Sequence, residues 1–150
     1  MSAALEEMDR KIIEELTRDA RQSVTGLARR LHISRAHAYE RIARLTRAGV
    51  IRGYAAVVDP QKLGLEASAY VMLKLRQNTW SALVEKLRRM AEVHHIALVG
   101  GSFDVMLLVR AEGTAALRRV VFEGIQPLPE VVDTQTVMIF EDEDARTRWR

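Results

Sequence analysis

Seven arginines lie between positions 29 and 52 (Arg29, Arg30, Arg35, Arg41, Arg44, Arg47 and Arg52), with one acid, Glu40, among them. Guanidinium groups at this density suit a polyanion. Each can hold a phosphate oxygen or pair bidentately with the edge of a guanine. A solvated helical face that happens to be basic is the alternative, because charge runs are often nothing more. Residues 1–53 hold 11 Lys/Arg against 7 Asp/Glu, a balance of +4; the remainder holds 12 against 13, a balance of −1. The net charge of +3 is therefore carried by the N-terminal third. Other chemistry is sparse. His94 and His95 are adjacent on an expected strand, so they point to opposite faces and cannot share one ligand. There is no cysteine, which excludes disulfides, thiolate catalysis and cysteine-bound zinc. HExxH, GxSxG and glycine-lysine phosphate loops are absent. No catalytic residue, metal or cofactor is expected.

The elements that would position those arginines read as helices. Leu5, Met8, Ile12 and Leu16 form one apolar stripe. Ser23 is a good N-cap for a second helix burying Leu27, Ala28 and Leu31. After a tight connection at His32-Ile33, Ser34 caps a third helix that buries Ala38, Ile42 and Leu45. Gly49 ends it. Val50 to Tyr54 reads as a small hairpin turning at Arg52-Gly53, and the chain continues extended to Val58. Three helices and a hairpin make a winged helix-turn-helix, whose third helix enters the major groove. Ala36, His37, Glu40, Ala43, Arg44 and Arg47 face away from the buried stripe and would meet the groove. Arg29, Arg30 and Arg52 suit phosphates, which position without specifying. Ser34, Arg35 and Tyr39 complete the candidate DNA-contacting set, Tyr39 either by a phosphate hydrogen bond or by packing. Arg41 lies on the flank of the stripe and is expected to form an ion pair with Asp9.

From position 65 the pattern changes. Strands at 67–76, 93–99, 103–110 and 131–140 alternate with helices at 80–91 and 114–124, the βαββαβ order of a ferredoxin-like domain. The fold class is thus α+β. The expected organisation is a DNA-binding domain over 1–53, a linker over 54–64 and a second domain over 65–150. In that second domain Val71, Leu73 and Leu75 are apolar, and so are Tyr70 and Met72 on the other face. Val105, Leu107 and Val109 alternate with Met106 and Leu108 in the same way. A strand apolar on both faces is buried on both. The face away from the helices therefore calls for a partner, most economically a second copy in a twofold dimer. No membrane span or signal peptide is read from the chain, so a cytoplasmic address is expected.

The segments MDRKIIEELTRDAR, LARRLHISRAHAYERIARLTRAGVIRGY, VVDPQKLG, VGGSFDVMLLV and TQTVMIF together resemble the Lrp/AsnC family of transcription regulators, over nearly the whole chain. The resemblance implies sequence-specific binding of double-stranded DNA, a homodimer that often assembles into octamers, and a small-molecule effector, commonly an amino acid, bound where dimers meet. It places the effector at Gly100, Gly101, Ser102, Phe103 and Asp104, with Thr134, Gln135 and Thr136 approaching from the last strand. A glycine-rich turn offers bare N–H groups to a carboxylate, and Asp104 can accept from an ammonium. The alternative is that the glycines only make the turn and Asp104 only satisfies backbone donors. Two departures stand out. Gly100 replaces a threonine frequent in the family, and Gly26 replaces a glutamate that would complete a capping box. An architectural DNA binder without effector, or a metabolite-processing enzyme on the same fold, are the rival readings. In the tail, Trp149 is expected to pack on a neighbouring subunit.

Overall fold

The computed structural model describes residues 5–77 and 79–143. The chain divides into two compact units, Met1–Val57 and Val58–Arg150. That division falls inside the expected linker, 54–64.

The first unit is three helices, α1 (Glu7–Arg18), α2 (Val24–Arg30) and α3 (Arg35–Arg47). Ser23 Oγ accepts from the Gly26 amide at 3.0 Å and Ser34 Oγ accepts from the His37 amide at 3.1 Å, so both predicted caps form. Ile12, Leu27 and Leu45 are the buried centre, packed by Leu5, Met8, Leu16, Leu31, Ile33 and Ile42. The buried alanines Ala28 and Ala38 carry little bulk and favour close helix packing. Helices α2 and α3 end in the same way. The Gly49 amide donates to Thr46 O at 3.0 Å and the Val50 amide to Leu45 O at 2.9 Å, with Gly49 at φ 69°. After α2, the His32 amide donates to Arg29 O and the Ile33 amide to Ala28 O. His32 takes the left-handed position at φ 53°. This pair of bonds closes a helix C-terminus, and in α2 it also makes the turn of the helix-turn-helix.

The expected hairpin over Val50–Tyr54 is not formed; no strand occurs between α3 and Ala67 among the described residues. The reason is local. The amides of Val50 and Ile51 both donate to Leu45 O, so the end of α3 takes the donors a first wing strand would need.

The second unit contains β1 (Ala67–Leu75), α4 (Trp80–Leu87), β2 (Val93–Leu98), β3 (Val105–Ala111), α5 (Thr114–Arg119) and β4 (Val131–Ile139). Helix α5 widens into π turns over Val120–Ile125. The sheet order is β2-β3-β1-β4, every neighbouring pair antiparallel, as a βαββαβ unit requires. Val71, Leu73, Val105, Leu107 and Val109 pack under the helices against Leu83, Leu87, Leu117, Val121 and Ile125. The other face of the sheet carries Tyr70, Met72, Met106, Leu108 and Val137, none of them fully buried within the chain. The element ends lie within a few residues of expectation, except that α4 stops at Leu87, short of Ala91.

A non-glycine residue in the left-handed region is strained by roughly 1 kcal/mol. His32→Gly is expected to leave stability unchanged or raise it by up to about 1 kcal/mol. His32→Val is expected to lower it by at least as much. Chemical denaturation of the full chain, followed by circular dichroism, checks both.

Candidate DNA-reading face and ligand loop

Asp9 sits in the first turn of α1 and is 3% exposed. A carboxylate that far from water stays charged only if several donors surround it. Its Oδ1 accepts from Arg41 Nη1 at 2.9 Å and from Arg44 Nη2 at 2.9 Å. Its Oδ2 accepts from Arg44 Nη2 at 2.7 Å and from the Glu6 amide at 3.2 Å. Glu6 adds a second carboxylate, 2.7 Å from Arg41 Nη2 and 3.5 Å from Arg44 Nη1. Burial pushes the Asp9 carboxyl up, but hydrogen bonds from Arg41, Arg44 and the Glu6 amide outweigh it and hold the group below the ordinary aspartate range. Arg41 is raised, first by its hydrogen bond to Glu6 and then by that to Asp9.

The expected Arg41–Asp9 strut is therefore present. Arg44 is placed differently from expectation: in place of the groove face, it joins Arg41 on the same acids. Three residues apart on a helix, the two arginines share a flank. That spacing was the available signal, because a strut at Arg41 brings Arg44 to the same carboxylate. Arg30 is bridged to Glu15 of α1 at 3.0 Å. Ala36, Glu40, Ala43 and Arg47 form the exposed outer face of α3. His37 is also exposed, and Arg41 Nε approaches its Nε2 at 2.6 Å. Arg35 lies over the Tyr39 ring, 5.5 Å from its centroid, and the ring is half exposed. Ser34 is engaged as the cap of α3. Among the described residues, Arg29, Arg35, Arg47 and Arg52 have no carboxylate partner.

The predicted ligand residues are spread over three places. Gly100 to Phe103 form the loop between β2 and β3, closed by the Val99 amide donating to Asp104 O at 2.8 Å. Gly101 is at φ 131°, open to glycine and strained for other residues. Asp104 faces the end of β1. There the pairing of β1 with β4 shifts between Lys74 and Leu75. Asp104 Oδ2 accepts from the Leu75 amide at 2.8 Å and Oδ1 from Lys74 Nζ at 3.1 Å. These bonds, the Leu75 amide first, hold the Asp104 carboxyl below its ordinary range. Asp104 thus does satisfy a backbone donor, and Lys74 is a charged neighbour that sequence reasoning missed. Thr134 and Thr136 pair with Leu73 and Val71, which puts them on the helix side. They line a groove of about 440 Å³ with Leu117, Val121, Phe122 and Met138. Gln135 pairs with Met72 and lies on the opposite face.

His94 falls at a register shift between Val93 and His95 on β2. Burial lowers it first, and Arg110 lowers it further. No group of three or more metal-ligating side chains occurs among the described residues, and no helix there is long and apolar enough to cross a membrane. The expected contact of Trp149 lies outside the described residues.

Residues 5–52 match the model of a winged helix-turn-helix DNA-binding family, and residues 68–149 match that of the Lrp/AsnC ligand binding domain. A proline dehydrogenase transcriptional activator of Rhizobium radiobacter is 36% identical over 140 residues, covering 91% of this chain and 90% of its own. The structure of Escherichia coli AsnC superposes with a TM-score of 0.85 at 25% identity, covering 97% of this chain and 98% of that one. A transcriptional regulator of Neisseria meningitidis, solved as an L-Met complex, shares the fold with a TM-score of 0.87 at 22% identity, over 98% of this chain and 97% of its own.

Asp9→Ala strands two arginines beside a vacated buried site. It is expected to cost about 3 kcal/mol of stability. The carboxyl is depressed in the folded state, so the stability it contributes is present above its unfolded pKa and is lost as pH falls through its folded one. Acid titration of wild type and Asp9→Asn by circular dichroism should show the wild type alone losing this increment below the ordinary carboxylate range.

Proposed function

The chain belongs to the Lrp/AsnC family of transcription regulators, and on that premise we propose that it acts as a homodimer reading a pseudo-palindromic operator under control of an amino acid. That it is a DNA-binding regulator with a C-terminal ligand-binding domain follows from the family; such proteins are regulators, not enzymes. Operator symmetry, oligomeric state and the nature of the effector are the proposed part. A cytoplasmic address, with the DNA, goes with it.

The observation that carries the dimer is the bare face of the sheet. Tyr70 and its cross-strand partner Val137 are 37% and 46% exposed, with Met72, Met106 and Leu108 half-buried beside them on the same face. A contiguous apolar face of this kind marks an interface, and a twofold copy supplies the matching surface. Two copies of α3 would then enter successive major grooves about one helical turn apart; higher assembly to an octamer is the resemblance's further implication. On each α3, Arg47 is the arginine of the outer face, with Ala36 and Ala43 small enough for close approach and Glu40 able to accept from a cytosine amine. Arg29, Arg30, Arg35 and Arg52 supply phosphate contacts, and Ser34 and Tyr39 flank them.

For the ligand, the proposal places an amino acid at the Gly100–Asp104 loop. Loop amides and Lys74 suit its carboxylate and Asp104 its ammonium. Thr134 and Thr136 border a separate apolar groove beside α5, with Gln135 on the other face. The L-Met bound by the Neisseria regulator supports an amino acid as the class. Gly100 has no positive φ, and a Cβ there meets nothing within 4 Å, so the backbone accepts the threonine that the family resemblance leads one to expect there.

Two experiments test this. On an operator recovered from a randomised duplex pool, Arg47→Ala is expected to weaken binding and reduce the salt slope by about one. Arg44→Ala is expected to act mainly on stability. Intact binding by Arg47→Ala places the groove face elsewhere. Separately, a thermal-shift panel of all amino acids is expected to show at least one raising the melting temperature. Asp104→Asn, which keeps an acceptor for the Leu75 amide, is expected to abolish that shift. A retained shift puts the ligand at another site.

A further inference from the structure

One contact on α3 is chemically unusual. A guanidinium is always protonated and has no acceptor, so whatever meets an arginine Nε–H must offer a lone pair. Arg41 Nε donates to His37 Nε2 at 2.6 Å. Nε2 is therefore bare, and the neutral ring must carry its proton on Nδ1. Arg41 has little freedom to release the ring. Its side chain is 16% exposed, its Nη1 is 2.9 Å from Asp9 Oδ1 and its Nη2 is 2.7 Å from Glu6 Oε2. All three guanidinium nitrogens are engaged. The backbone of His37 is fixed as well, through its amide bond to Ser34 Oγ.

Arg41 is the charged group that touches His37; Glu40 lies three residues along the same helix, and Glu6 and Asp9 at the start of α1 are reached through Arg41. Among the described residues its side chain has no hydrogen-bond partner other than Arg41, and it is exposed in the first turn of α3. The N-terminal turns of a recognition helix are the part that meets DNA.

We propose that Glu6 and Asp9 hold Arg41 so that it locks His37 in the Nδ1–H form, making His37 a dedicated hydrogen-bond donor to DNA. Arg41 is then a positioning residue and His37 the contact. The acceptor is a lone pair of the duplex, either a base edge (N7 of a purine, O6 of guanine or O4 of thymine) or a phosphate oxygen. The amine of cytosine, itself a donor, is excluded. This rests on the DNA-reading role of α3 proposed above, but the locked ring is a property of the free protein and is tested apart from it.

The first arm is nitrogen NMR of the imidazole in the full-length protein without DNA, at mildly alkaline pH. The expected ring is protonated at Nδ1. Arg41→Lys keeps a cation beside Glu6 and Asp9 but has no Nε, and it is expected to shift the ring toward the other tautomer. A wild-type ring protonated at Nε2 overturns the lock. The second arm is selection and binding with a randomised duplex pool, using wild type, His37→Asn and His37→Gln, each checked for folding by circular dichroism. The asparagine amide overlays Nδ1 and the glutamine amide overlays Nε2. His37→Asn is expected to stay near wild type, while His37→Gln loses about tenfold in affinity. Loss of preference at one position identifies a base edge, and uniform loss across sequences identifies a phosphate. Unchanged affinity and motif in His37→Gln overturns the donor role. If wild type enriches no motif at all, sequence-specific reading fails; the donor role is still upheld by uniform weakening in His37→Gln and still overturned by its absence.

Discussion

The reading head is organised by a carboxylate that cannot reach water. Apolar contacts among Ile12, Leu27 and Leu45 hold three helices together but are indifferent to small rotations, because burial has no direction. Asp9 does have direction. It demands donors at hydrogen-bond distance, and two of them, Arg41 and Arg44, come from α3. The rotation of the DNA-facing helix against α1 is thereby fixed by a polar contact. The cost is charge. Arg41 and Arg44 act as struts and Arg30 is shared with Glu15, so much of the arginine array that first suggested a polyanion is partly neutralised within the protein.

The second unit uses a carboxylate in a comparable way. Where β1 slips in register at Lys74/Leu75, the ladder would leave an amide without a partner, and Asp104 supplies the acceptor. The loop of Gly100 to Phe103 is thus tied to the end of the central strand. Close packing recurs at the far end of α5, where a Cβ on Gly124 would lie 2.9 Å from Met90 Cε. Here a side chain would have to displace the tip of Met90, which follows α4. The open face of the sheet has no such internal solution, and it is this face that the proposed dimer would cover.

Much of this was legible in the sequence because it follows from periodicity and caps. The stripe of Leu5, Met8, Ile12 and Leu16 marks the first helix, Ser23 the start of the second, and Ser34 and Gly49 both ends of the third. Strand alternation marked βαββαβ. What escaped was set by competition for partners. The Val50–Tyr54 hairpin had the right residues, yet the carbonyl of Leu45 accepts the amides it needed. Arg44 had an outward position on an ideal wheel, yet a long side chain three residues from Arg41 reaches the same buried acid. Thr134, Gln135 and Thr136 are neighbours in sequence, and a strand sends neighbours to opposite faces. The Glu6 contribution left no periodic trace.

Recognition by few residues follows from these assignments. With Arg41 and Arg44 turned to α1, the outer face of α3 keeps one arginine, one acid and two alanines, flanked by His37. A basic surface alone would bind any duplex. Discrimination needs groups whose donor or acceptor character is settled before DNA arrives, since an imidazole free to exchange tautomers accepts either edge. The acids that reduce the charge of the head are the same acids that fix Arg41, and through it His37. Lost electrostatic affinity is thus exchanged for a defined hydrogen-bond pattern, a trade suited to a regulator that must leave most of the genome unread.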